Sequence, residues 1–327
     1  ARCLISLALM TGNVGKKGSG LHPLRGQNNV QGASDAGLIP MMYPDYQLVE
    51  KINNKDFFEK LWNTPLDDKK GLTVVEIMDA IHENTIKGMY ILGENPAMSD
   101  PDLNHAREAL QMLDHLVVQD IFLTETATYA DVIFPASAWP EKNGTVTNTN
   151  RQVQMGRKAI NSPGQAKEDW WITNELAKKM GLNWRYKQPK DIYEEMSKTM
   201  PSLDNISWER LEIENSVTYP SKSPTTPGEE IVFGDRFPNE SGRGKFVPAS
   251  VTPPNEIPDN DFEMILTTGR QLEHWHTGAM TRKATNLDAI EPEASVSISP
   301  NDILKNNMIP GDKIKVSTRR GSVDIRI

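Results

Sequence analysis

The chain has 327 residues, a net charge of −8 and one cysteine, Cys3. This length allows two or three domains with a substantial core, and the acidic balance gives no indication of nucleic-acid binding. A single cysteine excludes an internal disulfide and a cysteine metal cluster. No apolar run approaches the roughly 18 residues of a membrane span. Cys3 itself is interpreted as a core residue of an apolar helix.

The first quarter of the chain predicts three helices and one polar loop. Residues 3–10 indicate the end of a buried helix that stops at Gly12. A Gly-rich loop follows and carries the sequence LRGQNNVQG at residues 24–32. It has no helical or strand period, a composition typical of exposed or site-lining loops. Further helices are predicted over residues 47–63 and 72–86.

Residues 87–151 hold the pattern around which the chain is organised. Three short apolar runs at 89–92, 116–118 and 132–134 are typical of strands buried on both faces of a parallel sheet. Residues 101–113 have apolar side chains at helical spacing and are long enough for a crossover helix. Together they predict a βαβαβ unit.

Small and polar residues follow each of these predicted strands. They are GENP at 93–96, Gln119 with Asp120, and PAS at 135–137. In such sheets, ligands bind beyond the carboxyl ends of the strands. These groups can bond a base, a ribose or a phosphate, so the pattern alone predicts a nucleotide-type site.

The third quarter of the chain is more polar. Residues 139–150 are predicted to be a polar loop, and 169–181 an amphipathic helix. Residues 187–260 are rich in Pro, Ser, Asn and charge, which favours a connector or surface-wrapping segment. Within it, weak helices are predicted at 190–199 and 207–214.

The final quarter turns to β. A short helix is predicted at 301–306, and the alternation ends at residue 327 without closing, so we expect the chain to be a piece of a longer one. Short strands with turn signals at this spacing indicate a small barrel or sandwich. The predicted strands are 262–267, 295–298, 308–318 and the segment from 321 onward.

No complete active site is visible from residue types alone. There is no nucleophile elbow, no Walker loop and no His/Cys ligand set at metal spacing. His274 and His276 flank Trp275 and would share one face of a strand. For these histidines, bonding to a buried ligand and a structural role both remain open. Metal ligation is the weaker alternative, because the nearest carboxylate, Glu273, would point to the other face.

Several motifs carry a family resemblance when they are taken together and in order. The set resembles the C-terminal half of the catalytic subunit of molybdenum formate dehydrogenases, in the dimethyl sulfoxide reductase (molybdopterin oxidoreductase) superfamily. The resemblance covers nearly the whole chain, and its specificity lies in the combination. The motifs are LRGQNNVQG (24–32), GENP (93–96), VQDIF (118–122), TATYADVIFP (126–135), residues 142–150, and TGRQLEHWHTGAMTR (268–282).

The resemblance implies a fold class and four parts. The class is α/β, with a parallel-sheet Rossmann-like domain followed by a small, mostly-β barrel domain that is incomplete. Residues 1–27 would end an upstream α/β domain with an active-site loop, and 28–138 would form the α/β molybdopterin dinucleotide-binding domain. Residues 139–260 would be connector and helical segment, and 261–327 the incomplete C-terminal dinucleotide-binding barrel.

The resemblance also implies residue roles. Arg25 would reach the metal centre and clamp formate through two charge-assisted bonds, with Gln27 adding an orienting bond. Asp169 aligns with an aspartate that bonds a guanine. Ala136 is a departure, because some relatives carry serine there. The metal-ligating cysteine or selenocysteine would lie upstream, so no metal ligand is expected here. The other implied cofactor contacts are Gly93, Glu94, Asn95, Ser99, Gln119, Asp120, Ile121, Ala136, Arg270, Gln271, His274, Trp275, His276 and Thr277.

For the parent subunit, the resemblance implies oxidation of formate to carbon dioxide at a bis-molybdopterin guanine dinucleotide centre holding molybdenum or tungsten. A 4Fe-4S cluster would lie in the upstream part. Electrons would leave through iron-sulfur clusters to iron-sulfur and flavin partner subunits, with NAD as the expected acceptor. The expected location is cytoplasmic, with export left open, and the isolated chain would be inactive.

Three other readings compete. Assimilatory-type nitrate reductases share the HWHTG segment but lack an arginine at the position of Arg25. The related large subunit of NADH dehydrogenase keeps the fold as a scaffold, which predicts decay of the cofactor motifs that are intact here. A generic nucleotide-binding module explains the first half of the chain but not the segment from Arg270 to Thr277.

Overall fold

The computed structural model describes residues 1–327, which form eleven helices and ten strands. The helices are α1 Arg2–Met10, α2 Val30–Asp35, α3 Ile52–Trp62, α4 Val74–His82, α5 Pro96–Ser99, α6 Leu103–Met112, α7 Asp169–Lys179, α8 Pro189–Thr199, α9 Trp208–Glu214, α10 Thr285–Ile290 and α11 Pro300–Lys305. The strands are β1 Met42–Tyr43, β2 Gln47–Leu48, β3 Gly88–Leu92, β4 His115–Asp120, β5 Val132–Pro135, β6 Gly144–Thr147, β7 Gln152–Gly156, β8 Ser216–Thr218, β9 Lys313–Thr318 and β10 Gly321–Arg326. None of the helices combines the length and apolar character that a membrane crossing requires.

The chain divides into two compact units, and each unit is built from two separate segments. The first unit comprises residues 1–73 and 137–252. The second unit comprises residues 74–136 and 253–327. The four-part division drawn from the sequence stays a prediction.

The second unit contains the predicted parallel sheet. Its strand order is β3-β4-β5, all parallel, with Ile91 opposite Val118 and Val118 opposite Ile133. Helix α6 crosses from β3 to β4, and its buried Leu110 packs with the sheet residues Ile91 and Leu116. Each fully buried aliphatic side chain of this kind contributes roughly 1.5–3 kcal/mol. The α/β class and the first βαβ crossover are therefore confirmed, whereas β4 and β5 are connected by the short 3-10 helix Thr126–Tyr129 in place of the second α-helix of the predicted βαβαβ unit.

The C-terminal part of the second unit forms an antiparallel hairpin of β9 and β10 and no closed barrel. The short helix predicted at 301–306 is present as α11. The strand predicted at 262–267 is not formed. Its apolar side chains Ile265 and Leu266 are 79% and 59% exposed. A strand requires partners for its backbone groups, and apolar content supplies none by itself. Of residues 295–298, only Ser295 makes an isolated bridge.

The first unit contains the antiparallel sheet β6-β7-β8, with α8 and α9 packed against it. The prediction that 187–260 is connector rather than core is wrong for its first third, because helices and turns there supply most of a buried cluster. The polar loop predicted at 139–150 likewise contains β6. The high polar content of these segments gave no sequence signal for the single apolar residues that pack together in one buried cluster. The cluster is Val153, Tyr193, Met200, Leu203, Ile206, Trp208, Leu211 and Val217.

Helix α1 is formed as predicted but is not buried. Leu4, Leu7 and Met10 are 67%, 57% and 72% exposed. Cys3 is also exposed, so its interpretation as a core residue is wrong. Apolar content predicts burial only where a second element covers the helix, and no element of this chain covers these side chains.

Candidate functional site

The site is built at the carboxyl end of the parallel sheet in the second unit. Strand β3 ends at Leu92, and Gly93 follows in the left-handed region with φ 65°. A Cβ atom placed on Gly93 would meet nothing within 4 Å. The backbone here is therefore open to close approach by a ligand.

Asn95 is buried and anchors this edge. Its Oδ1 atom accepts hydrogen bonds from the Thr126 amide at 3.1 Å and the Thr126 hydroxyl at 2.8 Å. Its Nδ2 atom donates to Glu125 Oε2 at 2.8 Å. Ser99 donates its hydroxyl to the Asn95 carbonyl at 3.0 Å. Asn95 and Ser99 therefore fix the loop after β3, whatever else they bind.

Acidic side chains converge at the same edge. Burial raises the pKa of Glu94, and the charges of Asp100 and Asp120 raise it further, while His276 opposes them. Asp120 Oδ1 accepts the amide hydrogens of Ile121 at 2.6 Å and Phe122 at 3.3 Å. Carboxylates in this arrangement suit ligand N–H and O–H donors, such as those of a base or a ribose.

Two other residues that were predicted to contact the cofactor are buried. The Gln119 side chain is fully buried and accepts a hydrogen bond from the Tyr90 hydroxyl. Ala136 is buried, and its amide donates to the Asp120 carbonyl at 3.0 Å. These two residues shape the strand ends, and their ligand contacts stay predictions.

A cavity of about 260 Å³ lies beside Asn95. Asn95 and Glu125 line it together with Thr277, Arg282 and Lys283. The Asn95 hydrogen bond lowers the pKa of Glu125, and the charge of Lys283 contributes to this shift. The Arg282 guanidinium is bonded to Asp288 at 3.2 Å and to the Pro292 carbonyl at 2.7 Å. The Lys283 ammonium is the cation that can hold a phosphate at this cavity through a charge-assisted hydrogen bond. Sequence reasoning missed Glu125 and Lys283, because single charges on loops carry no periodic signal.

The segment from Arg270 to Thr277 does not form the strand assumed for its histidines. His274 Nε2 lies 2.6 Å from the Glu291 carbonyl oxygen, and Nδ1 lies 3.2 Å from Thr281 Oγ1. Both ring nitrogens of His274 therefore have protein partners. His276 has φ 50° and is exposed, so the two rings do not share a strand face.

The neighbouring side chains of this segment also contact protein groups. The Arg270 guanidinium lies 5.4 Å from the Trp275 ring centroid. Gln271 donates to Glu291 Oε1 at 2.9 Å. Thr277 lines the cavity directly. The segment therefore presents a folded loop to the site.

Arg25, Gln27 and Asp169 belong to the first unit. Arg25 is half-buried, and its Nε atom is buried without a hydrogen-bond partner, whereas Gln27 is exposed. A buried donor without a partner is unusual in a folded protein. Asp169 begins α7 and pairs with the Lys142 ammonium, which also donates to the Ser137 carbonyl at 3.1 Å. Lys142 begins the motif at residues 142–150, but it was not predicted as a site residue.

Comparisons with known proteins identify the family of the chain. The family model described as molybdopterin oxidoreductase matches residues 1–179. The model described as molydopterin dinucleotide binding domain matches residues 264–327. The two matches cover the segments that carry Arg25, the strand-end residues and the loop after Arg270.

Individual relatives are similar over almost the whole chain. The F420-dependent formate dehydrogenase subunit alpha of Methanocaldococcus jannaschii is 46% identical, with 98% of this chain and 48% of the relative covered. The F420-dependent formate dehydrogenase 2 subunit alpha of Methanococcus maripaludis is 42% identical, with 98% and 47% covered. The chain thus spans about half the length of these relatives.

One solved structure shares the fold. Acetylene hydratase from Pelobacter acetylenicus superposes with a TM-score of 0.57 at 19% identity, over 84% of this chain and 40% of that one. At this identity, the likeness concerns the fold alone.

Proposed function

The chain belongs to the molybdopterin oxidoreductase family, and on that premise we propose that it forms about half of the catalytic subunit of a formate dehydrogenase. The observation that carries the proposal is the buried, unpaired Nε donor of Arg25 in the motif LRGQNNVQG. Formate is a one-carbon carboxylate with no other group to bind. A planar guanidinium can hold both of its oxygens in parallel.

The residues of the chain fit a molybdopterin guanine dinucleotide. In the second unit, Lys283 at the cavity suits a phosphate, the open backbone at Gly93 allows close approach, and the Glu94 carboxylate suits the N–H donors of guanine or the hydroxyls of ribose. In the first unit, the Asp169 carboxylate suits the same kinds of donor. When bound, the metal centre of this cofactor, molybdenum or tungsten, supplies the acceptor for the two electrons of formate oxidation.

In this proposal, Arg25 holds the formate carboxylate and Gln27 orients it. The electrons would leave through iron-sulfur clusters to partner subunits. NAD is one candidate acceptor, and the names of the two relatives add F420 as another.

The experiment is on the full-length subunit that contains this chain, purified with its cofactor. Metal and guanine dinucleotide content are measured first. Two activities are then compared in the same preparation: the reduction of a dye by formate and the oxidation of a reduced dye by nitrate. Bound cofactor with formate turnover is the expected result. Bound cofactor with nitrate turnover alone would transfer the proposal to the nitrate reductases. Folded protein without cofactor would favour the scaffold subunit of the NADH dehydrogenase type.

Lys283→Ala is expected to lower cofactor retention by roughly tenfold or more, since a hydrogen bond to a charged group is worth about 1.5–3 kcal/mol. The reason is its place at the cavity with Arg282. Cofactor content per subunit is measured after gel filtration. Lys305→Ala is the matched control, because Lys305 lies in the same unit and is exposed at a 4.0 Å ion pair with Glu263. Equal cofactor loss in both variants would remove Lys283 from the site.

A further inference from the structure

Four polar side chains of the first unit form a cluster that the cofactor and substrate roles do not use. We name it the Asp35 cluster: Gln31, Asp35, Tyr46 and Tyr219. Gln31 Nε2 donates to Asp35 Oδ1 at 2.6 Å and lies 3.1 Å from the Tyr46 hydroxyl. The Tyr219 hydroxyl donates to Asp35 Oδ2 at 2.9 Å. Both oxygens of Asp35 therefore have partners.

The centre of this cluster is a buried carboxylate. Asp35 is 3% exposed and Gln31 is 9% exposed. Burial raises the pKa of Asp35, while the hydrogen bonds from Gln31, Tyr219 and Tyr46 oppose the shift. Burying such a group costs free energy that an apolar residue of similar size would not cost. The fold therefore retains it at a place where a polar, directional contact is needed.

The Asp35 cluster is directly connected to the loop of Arg25. Helix α2 begins at Val30, five residues after Arg25, and both Gln31 and Asp35 lie on it. The start of α2 is further fixed by Asn29, whose Oδ1 atom accepts the Thr147 amide at 2.9 Å. The end of the loop that carries Arg25 is thus joined to a helix that is hydrogen-bonded at its start and along its length.

Tyr46 connects the cluster to Arg25 electrostatically. Tyr46 is 39% exposed; its partial burial raises its pKa, and the charge of Arg25 acts in the opposite direction. Tyr46 and the preceding Asp45 both have left-handed φ angles, 58° and 60°, which non-glycine residues adopt at a cost. Asp45 Oδ2 accepts the Ser202 amide at 3.0 Å and holds this turn. This turn brings the Tyr46 hydroxyl within 3.1 Å of Gln31 Nε2.

We propose that Asp35 and Tyr46 are positioning residues that hold the Arg25 loop in the geometry that receives formate. The inference rests on the proposed function for its substrate, but the geometry that carries it is the hydrogen-bonded cluster. Fixing the guanidinium before the substrate arrives lowers the entropic cost of binding it in a reactive orientation. The Asp35 cluster supplies that rigidity through helix α2, which follows the loop in the chain.

The test is Tyr46→Phe in the full-length subunit with its cofactor bound. The substitution removes one hydroxyl and leaves the ring. KM for formate is expected to rise roughly two- to tenfold, because one internal hydrogen bond of the Asp35 cluster is lost. Amide hydrogen exchange over residues 24–32 is expected to accelerate by a similar factor, with cofactor content unchanged. Asp35→Asn, which keeps the shape and removes the charge, is expected to give the same pattern with a larger effect.

Tyr193→Phe is the matched control. Tyr193 is 3% exposed in the core of the same unit, and its hydroxyl donates to the Ile206 carbonyl at 2.8 Å. It loses a hydrogen bond that is more deeply buried than that of Tyr46, at a position far along the chain from the Arg25 loop. Its KM for formate and the exchange over 24–32 are expected to match the unsubstituted protein.

The outcomes are separable. A Tyr46→Phe variant with unchanged KM and unchanged exchange overturns the inference. A Tyr193→Phe variant in which KM rises and exchange accelerates as in Tyr46→Phe also overturns it. So does a loss of cofactor in Tyr46→Phe that parallels the rise in KM. If the unsubstituted subunit does not oxidise formate, the proposed function fails, while the exchange over 24–32 still decides whether the cluster holds the loop. Should Tyr46→Phe not fold, Tyr219→Phe removes the other phenol of the cluster and is judged by the same readouts.

Discussion

Arg25→Lys in the full-length subunit is expected to lower kcat/KM for formate roughly 10- to 100-fold, since a hydrogen bond to a charged group contributes about 1.5–3 kcal/mol. Lysine keeps the positive charge but presents a point charge instead of a planar fork, so one of two parallel bonds is lost. Metal and dinucleotide content are expected to stay at the level of the unsubstituted protein. Steady-state dye reduction and metal analysis on the same samples provide the measurement.

Arg157→Lys is the control for this experiment. Arg157 is an exposed arginine of the same unit and donates to Asn215 Oδ1 at 2.9 Å and the Glu212 carbonyl at 3.0 Å. The substitution also prevents the side chain from donating to two acceptors in the geometry of a guanidinium. Because the position is at the surface, turnover of formate is expected to be unchanged. Parallel losses of turnover and cofactor in Arg25→Lys would show that Arg25 maintains the fold of its loop and does not clamp the substrate.

Leu211→Ala is expected to lower the free energy of unfolding by about 2–5 kcal/mol, the usual cost of an aliphatic-to-alanine change in a core. Leu211 is 0% exposed in the largest apolar cluster of the first unit, where it packs with Trp208 and Val217. The cost combines lost transfer free energy with the cavity that the surrounding side chains cannot fill. Urea denaturation of the intact subunit, followed by fluorescence, measures the change.

Ile213→Ala on the same helix separates packing from helix propensity. Ile213 is 81% exposed, only two residues from Leu211. Its substitution is expected to change the unfolding free energy by less than about 0.5 kcal/mol, as at most surface positions. Similar losses in both variants would mean that residues 208–214 are not seated in the core as described.

The sequence predicted the parallel sheet because its signal is local and continuous. Runs such as 116–118 are apolar without interruption, and the helix between two of them has a clear period. Strands β6 to β8 were missed because they are short and rich in Thr, Gln and Ser, with one buried residue each. Leu203, Ile206 and Leu211 were hidden by polar neighbours, since composition averages over a window while burial is decided residue by residue.

Only part of the candidate site could likewise be predicted from the sequence. The strand ends at Gly93 and Asp120 were predictable, because the fold class places ligands at that edge. The cavity residues Glu125 and Lys283 are 158 positions apart and meet only through the tertiary fold. The Asp35 cluster joins Gln31 to Tyr219 across 188 positions. No spacing rule relates residues so distant, so their chemistry appears only with the structure.

The two-segment composition of both units has a consequence for how the polypeptide acquires its fold. The first unit is interrupted by residues 74–136, and the second by residues 137–252. During synthesis, the sheet β3-β4-β5 emerges before β6 to β8, yet its unit is finished only when residues beyond 253 are available. Any single cut in the backbone divides at least one unit. Folding must therefore wait for distant partners, which slows it and exposes intermediates to aggregation.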